Sequence, residues 1–192
     1  MMERKLIDQG GILDYDSEFL TKYGADLLFN YLKDNVSWEQ KFYNYGGKQV
    51  AQPRLTAWFA DDPKLAYSYS GIIETVQNWL PDLLIIKKKI EEISKVDYNS
   101  CLLNFYRNGA DSVGLHADDE KELGIDPNIA SISLGTERTF RLIKGDSVIE
   151  HELAHGSLLI MSGTTQKYWK HTIPKEYGLK AGRINLTFRK IF

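Results

Sequence analysis

The amino-acid sequence predicts an α+β fold whose second half is a β-sandwich or jelly roll. Apolar residues recur at helical spacing in two early segments, and after about residue 98 short alternating runs replace them. Glycine-marked turns separate those runs. Helices first and many strands after describe an N-terminal helical layer over 1–98 and a sheet-built core over 99–192. The length of 192 residues suits one domain with a substantial core.

In DYDSEFLTKYGADLLFNYLKD, the residues Phe19, Leu20, Tyr23, Leu27 and Tyr31 stand near helical spacing behind a cap at Asp16 or Ser17. PDLLIIKKKIEEISK places Pro81 where a helix begins, with Leu83, Leu84, Ile86, Ile90 and Ile93 as its apolar side. Strands are expected at SCLLNFY, IASISL, RTFRLI, SLLIM and RINLTFR. Asn108-Gly109 is a strong turn signal, and Gly135, Gly145, Gly156 and Gly163 mark others.

Composition excludes several classes. Apolar residues make up 43% and charged residues 26%, so the chain is neither disordered nor membrane-embedded. No apolar run approaches the ~20 residues of a membrane span. The start, MMERKLIDQG, lacks an apolar h-region, which predicts no secretory leader and an intracellular setting, bacterial cytoplasm or nucleus. The single Cys101 excludes an internal disulfide and suits a reducing compartment. A monomer without an obligate protein partner is expected. The net charge of -2 hides a split: six acids and one base from Asp111 to Asp126, but seven bases and one acid from Thr164 onward. A polyanion would meet the C-terminal segment.

The four histidines allow two metal sites. HELAH, residues 151 to 155, matches a zinc-peptidase motif in which His151 and His155 share a helical face, Glu152 is the base and Glu176 the third ligand. Ser147 to Glu150 as a capping box and Gly156 as a C-cap would bound that helix, but it has only about two turns. Val148, Ile149 and the following SLLIM favour strand instead. The alternative begins in VGLHADDE. On an extended strand His116 and Asp118 point to one side, and His171 in KHTIP arrives from a distant strand. Two histidines and a carboxylate form the facial triad of non-haem Fe(II) oxygenases.

RINLTFR strengthens this second site. Arg183, Asn185, Thr187 and Arg189 fall on one face of the strand, and Ile184, Leu186 and Phe188 on the other. Two arginines inside a barrel call for an anion between them, and a dicarboxylate co-substrate supplies it. In SCLLNFY, Asn104 and Tyr106 share a face opposite Leu103 and Phe105 and offer partners to the same anion.

Together NFYRNGADSVGLHADDE, IASISLG, LAHGSLLIMSG, KHTIP and RINLTFRK resemble the AlkB family of Fe(II)- and 2-oxoglutarate-dependent dioxygenases, most of all its nucleic-acid repair branch. The match runs from about Pro53 to the C-terminus. The resemblance implies a double-stranded β-helix jelly-roll core with N-terminal helices and nucleotide-recognition loops. It assigns iron to His116, Asp118 and His171, and 2-oxoglutarate to Asn104, Tyr106, Arg183, Asn185 and Arg189, with Thr187 nearby. It makes LAHGSLL a turn and strand, so His155 is no ligand. QPRLTAWF and YSYSG resemble the recognition loops, where Tyr67 and Tyr69 match aromatic positions beside the target base and Asp119 an acidic one; Arg54 and Trp58 lie in the same region.

The activity so implied uses Fe(II), 2-oxoglutarate and O2 to hydroxylate an N-methyl group, which then leaves as formaldehyde. Methylated nucleic acid, with DNA favoured, is the implied partner. Bases methylated at N1 of adenine or N3 of cytosine carry positive charge, which suits tyrosine faces and an aspartate, and they pair poorly, so they flip out at lower cost. In KFYNYGGKQV, Phe42, Tyr43 and Tyr45 beside two glycines are a candidate duplex wedge. The other functions in play are a dioxygenase of the same fold acting on RNA or protein, a non-catalytic nucleic-acid binder, and the zinc peptidase.

Overall fold

The computed structural model describes residues 1–65, 68, 69, 72, 73 and 75–192, with the backbone alone at 45, 68, 69, 72 and 73. The chain opens with β1 (Glu3–Ile7), a 3-10 turn over Asp8–Gly10, β2 (Gly11–Asp16) and α1 (Lys22–Asn35). A hairpin of β3 (Phe42–Tyr45) and β4 (Lys48–Ala51) precedes β5 (Leu55–Ala60) and the short β6 (Ser68–Tyr69), β7 (Ile72–Ile73) and β8 (Val76–Gln77). Helix α2 (Pro81–Ser94) leads into β9 (Ser100–Tyr106) and β10 (Val113–His116). Next come β11 (Ile129–Gly135), β12 (Arg138–Lys144), β13 (Ser147–Leu153) and β14 (Ser157–Gly163). The chain closes with a single-turn α3 (Thr165–Tyr168), β15 (Lys170–Ile173) and β16 (Arg183–Arg189).

Two sheets form the jelly roll. The larger runs β1-β2-β14-β11-β16-β9-β5-β8 and the smaller β10-β15-β12-β13. Alternation sends the side chains of the larger sheet two ways. Leu103 of β9, Ile132 of β11 and Ile184, Leu186 and Phe188 of β16 pack outward against Leu28 and Leu32 of α1 and Leu83, Ile86 and Ile90 of α2. On the opposite face Leu102, Leu159 and Met161 meet Phe140, Leu142 and Ile173 of the smaller sheet. The polar members of β16 are thereby enclosed between the sheets. Burying Ile184, Leu186 and Phe188 contributes roughly 5–9 kcal/mol. That offsets part of the desolvation cost of the two buried arginines on the inner face of the strand.

Several expectations shift here. Helix α1 is capped by Thr21, whose hydroxyl accepts the Gly24 N–H at 3.2 Å, not by Asp16 or Ser17. Asp16 is instead the last residue of β2, opposite Leu158. The buried stripe of α1 is therefore Ala25, Leu28 and Leu32, while Tyr23 and Leu27 are exposed. Helix α2 starts at Pro81 as expected, though Leu84 and Ile93 face outward. The first 98 residues interleave with the core, because β1, β2, β5 and β8 extend the larger sheet on both sides. The Asn108-Gly109 turn is a close approach: a Cβ on Gly109 would lie 1.7 Å from the Glu176 carbonyl oxygen.

Candidate metal centre

The smaller sheet sets two histidines side by side. His116 of β10 pairs directly with His171 of β15, and an irregularity between Val113 and His116 turns the end of β10. The two rings stand 4.3 Å apart between centroids. Asp118, two residues past His116, shares its side, with Oδ1 3.7 Å from His116 Nε2. One ligand atom from each of the three lies within 4.8 Å of the others, the one such group of three among the described residues.

The surroundings fix how these side chains point. His116 Nδ1 lies 2.8 Å from the Gly114 carbonyl, which only accepts, so the proton sits on Nδ1 and the Nε2 lone pair faces the centre. Asp118 Oδ2 accepts from Arg189 Nη2 at 3.0 Å, and the Asp118 N–H donates to Gln166 Oε1 at 2.9 Å. Asp118 Oδ1 and His171 Nδ1 are buried without a hydrogen-bond partner among the described residues. A buried carboxylate oxygen left bare beside two imidazoles is the arrangement that a cation completes. Two nitrogens and one oxygen suit non-haem Fe(II), so the donor set fits that ion.

Protonation favours metal binding. Burial pushes His171 down to about 3, with His116 adding to the effect against the pull of Asp118. Burial also lowers His116, opposed by Asp118. For Asp118 burial works against the carboxylate, yet Arg189 and the two histidines outweigh it and hold it below its usual range. An unfolded His171 takes a proton near pH 6.5, and the folded one only near 3. Between those values protons favour the unfolded chain, so stability rises with pH. Asp118 acts in the same sense, its contribution being lost as pH falls through its depressed folded value. The metal-free protein, held in chelator, is therefore expected to lose stability from about pH 6.5 toward 3 in urea unfolding. A flat profile across that window would contradict buried neutral histidines.

A cavity opens from the metal centre toward β16. Register explains its lining: Arg183 pairs with Tyr106 and Gly135, Asn185 with Asn104 and Ser133, Thr187 with Leu102 and Ser131. Arg183 is fully enclosed, donates from Nη2 to Ser133 Oγ at 2.9 Å and lies 5.3 Å from the centroid of the Tyr106 ring. Its Nε and Nη1 have no hydrogen-bond partner among the described residues, and burial lowers its pKa to about 10. Asn185 is fully engaged: it donates to Ser131 Oγ and the Ile132 carbonyl and accepts from Thr187 Oγ1. Asn104 Oδ1 accepts from Arg54 Nε at 2.8 Å. Asn104, Tyr106, Arg183, Asn185, Thr187 and Arg189 therefore share one cavity with His116, Asp118 and His171, and Arg54 joins them.

Two of the remaining candidates lie elsewhere. Trp58 is completely buried in the core between the sheets and does not line the cavity. Asp119 is exposed and borders a separate recess with Ile125, Asp126 and Lys167. Tyr67 lies outside the described residues, and Tyr69 is described only as backbone paired to Ile72 in β6 and β7. HELAH is not helical, since His151 and Glu152 belong to β13. His151 stacks edge-on against Tyr15, and His155 receives the Gly135 N–H at 2.8 Å while facing Asp26. Glu176 takes the Arg138 guanidinium and the Thr139 N–H. No zinc site forms from them.

Sequence reasoning missed Ser131, Ser133 and Gln166. The two serines were legible as the polar alternation inside IASISL, whereas Gln166 carries no local signal.

Comparison with known proteins agrees with the geometry. The model of the 2OG-Fe(II) oxygenase superfamily matches residues 14–189. The alpha-ketoglutarate-dependent dioxygenase alkB homolog 3 of Mus musculus is 43% identical over 180 residues, 88% of this chain and 62% of that protein. The DNA oxidative demethylase ALKBH2 of Mus musculus is 36% identical over 205 residues, 98% of this chain and 83% of that protein. The chain thus spans about three-fifths of the length of its alkB homolog 3 relatives. In fold it is similar to the solved structure of OsALKBH1, with a TM-score of 0.65, 18% identity, and coverage of 98% of this chain and 100% of that one.

Proposed function

The chain belongs to the AlkB family of the 2OG-Fe(II) oxygenase superfamily, and on that footing we propose that it is an oxidative demethylase of alkylated DNA. Its substrates on this proposal are N-methyl bases of the 1-methyladenine and 3-methylcytosine type. The observation that carries the proposal is the His116, Asp118 and His171 cluster sharing one cavity with a buried arginine that has two unpartnered donors. The name of the ALKBH2 relative, a DNA oxidative demethylase, supports DNA as the substrate.

His116 Nε2, Asp118 Oδ1 and His171 would hold Fe(II). When bound there, that ion would let O2 serve as the oxidant, with 2-oxoglutarate giving up two electrons, for hydroxylation of an N-methyl C–H bond. The remaining tasks fall to the protein. Arg183 Nε and Nη1 bind the distal carboxylate of 2-oxoglutarate, held in place by Ser133 and the face of Tyr106. Asn185 and Thr187, locked to each other and to Ser131, give that anion a rigid polar floor. Arg189 keeps Asp118 ionised and oriented. Enclosure between the sheets excludes water and strengthens each of these interactions.

The entrance is bordered by the β3–β4 hairpin, with Phe42, Tyr43, Arg54, His116 and Lys175 around one recess. Gly46 and Gly47 at its tip have φ of 56° and 78°, the left-handed pair that a tight hairpin turn requires. Phe42 is exposed beside this recess, where an apolar ring can take the place of an extruded base. Phe42→Ala is expected to lower turnover on a methylated duplex about tenfold and to change turnover on a single strand little, since one base–aromatic contact is worth ~1–3 kcal/mol. Equal losses on both strands would remove the wedge role.

The proposal is tested by incubating the protein with an oligonucleotide bearing one 1-methyladenine, Fe(II), 2-oxoglutarate and air, and weighing the product. Loss of one methylene mass that depends on 2-oxoglutarate is expected. Succinate formation without mass loss would keep a dioxygenase and discard this substrate.

A further inference from the structure

The short helix α3 links the two halves of the metal centre, through a hydrogen bond to the Asp118 loop and through the chain to β15. It follows β14 and ends one residue before β15, the strand of His171. Its second residue, Gln166, is 2% exposed and reaches across to the other half. Gln166 Oε1 accepts the Asp118 N–H at 2.9 Å, a contact between residues 48 apart in sequence. Its Nε2 lies 3.5 Å from Met161 Sδ, on the strand that lines the cavity. Both ends of the amide are thus engaged in the interior.

The helix itself is fastened to the larger sheet. Thr165 Oγ1 receives the Ile12 N–H at 3.1 Å and donates to the Ser162 carbonyl at 2.6 Å. The Trp169 N–H returns to the Thr165 carbonyl at 2.9 Å, and Trp169 Nε1 donates to the Asp8 carbonyl at 3.1 Å. A block anchored to β2 and β14 therefore offers one acceptor to the loop that carries Asp118. That loop has left β10 at His116, so no ladder bond of the sheet holds Asp118 itself. Its carboxylate is oriented at Oδ2 by Arg189 and its backbone at the N–H by Gln166.

We propose that Gln166 is a positioning residue of the metal centre, fixing the Asp118 backbone so that Oδ1 stays aimed at the ion beside His116 and His171. It touches neither metal nor substrate. Without the acceptor, the buried Asp118 N–H must seek another partner and the loop turns to find one. The carboxylate then leaves the place where all three ligands converge. Because α3 also leads straight into β15, one anchored turn sets the spacing between the Asp118 loop and His171. The proposal rests on the metal-centre assignment above but not on the choice of substrate.

The test is Mn(II) binding, measured by titration calorimetry on the metal-free protein with and without 2-oxoglutarate, so it needs no turnover. Gln166→Met keeps length and volume but removes the oxygen, and it is expected to weaken Mn(II) binding about tenfold, at the lower end for groups that orient ligands. Gln166→Glu, which returns an oxygen to the same place, is expected to recover most of that loss. Wild-type affinity in Gln166→Met would overturn the proposal, even if its melting temperature fell, because a purely structural role lowers stability alone. An equal loss in Gln166→Glu would assign the effect to packing and overturn it as well. Hydrogen exchange at the Asp118 amide of the wild-type protein decides the matter if a variant does not fold: slow exchange is expected, and exchange as fast as an open loop would overturn the proposal. A wild-type protein that binds no Mn(II) would overturn the metal assignment and this proposal together.

Discussion

Replacing Asp118 by alanine is expected to reduce demethylation by more than about a hundredfold, since substitutions merely next to a metal ligand already cost 10- to 100-fold. The variant loses the one carboxylate among three ligand atoms that lie within 4.8 Å of each other, leaving two imidazoles 4.3 Å apart. It also takes from Arg189 a buried partner at 3.0 Å. Breaking a buried pair costs roughly 3–5 kcal/mol. In a chain of this size that lowers the melting temperature by roughly 6–20 °C, with the circular dichroism of the folded state retained. Asp118→Asn separates the two effects. It keeps an oxygen for Arg189 and so loses less stability, but its neutral amide is a poor ligand and its activity falls as far. Demethylation that persists in either variant would sink the iron assignment.

Arg183→Met is expected to raise the KM for 2-oxoglutarate by about a hundredfold or more. The estimate follows from two charge-assisted hydrogen bonds at ~1.5–3 kcal/mol each, donated by Nε and Nη1. Stability should move the other way. Arg183 is wholly buried with its pKa lowered to about 10 by that burial; it donates to the neutral Ser133 Oγ, faces the Tyr106 ring and feels Glu176 only as a weaker opposing influence. Removing a charge that burial disfavours relieves a desolvation cost, so the co-substrate-free variant should melt no lower than the wild type. The rise in melting temperature that 2-oxoglutarate gives the wild-type protein should vanish in the variant. A variant that melts lower without ligand yet still responds to 2-oxoglutarate would make Arg183 a structural cation and move the anion site elsewhere.

Much of this centre was legible before any coordinates. RINLTFR is β16 from Arg183 to Arg189, with its polar residues inside and its apolar residues against the helices, as period-two alternation requires. The rule that residues two apart share a side made His116 and Asp118 candidates, and the polar face of RINLTFR together with the family resemblance singled them out. The failures are equally local in origin. Tyr23 and Leu27 fit a helical stripe on paper, but Thr21 starts the helix later and the sheet meets the face of Leu28 and Leu32. Asp119 was carried over by its matched position and Trp58 by its region of the chain; alternation along β5 sends Trp58 into the core, and Asp119 is exposed beside a separate recess. HELAH spells a helix motif across the end of a strand and the following turn, because β13 is held by seven residues paired to β12. Pairing across a sheet outweighs a weak local helix preference.

The sequence by itself determined which residues are apolar, which are charged and with what period they alternate, and therefore the faces of β9, β11 and β16; the choice of His116, Asp118 and His171 as candidate ligands came with the family resemblance. The tertiary structure alone decided that His116 lies opposite His171, that Ser133 meets Arg183, and that Gln166 reaches the Asp118 amide. The physical reason is range. Alternation and capping are settled by neighbours a few residues away, whereas strand register and a buried amide's partner depend on elements 48 to 55 positions apart brought together by burial of the two cores.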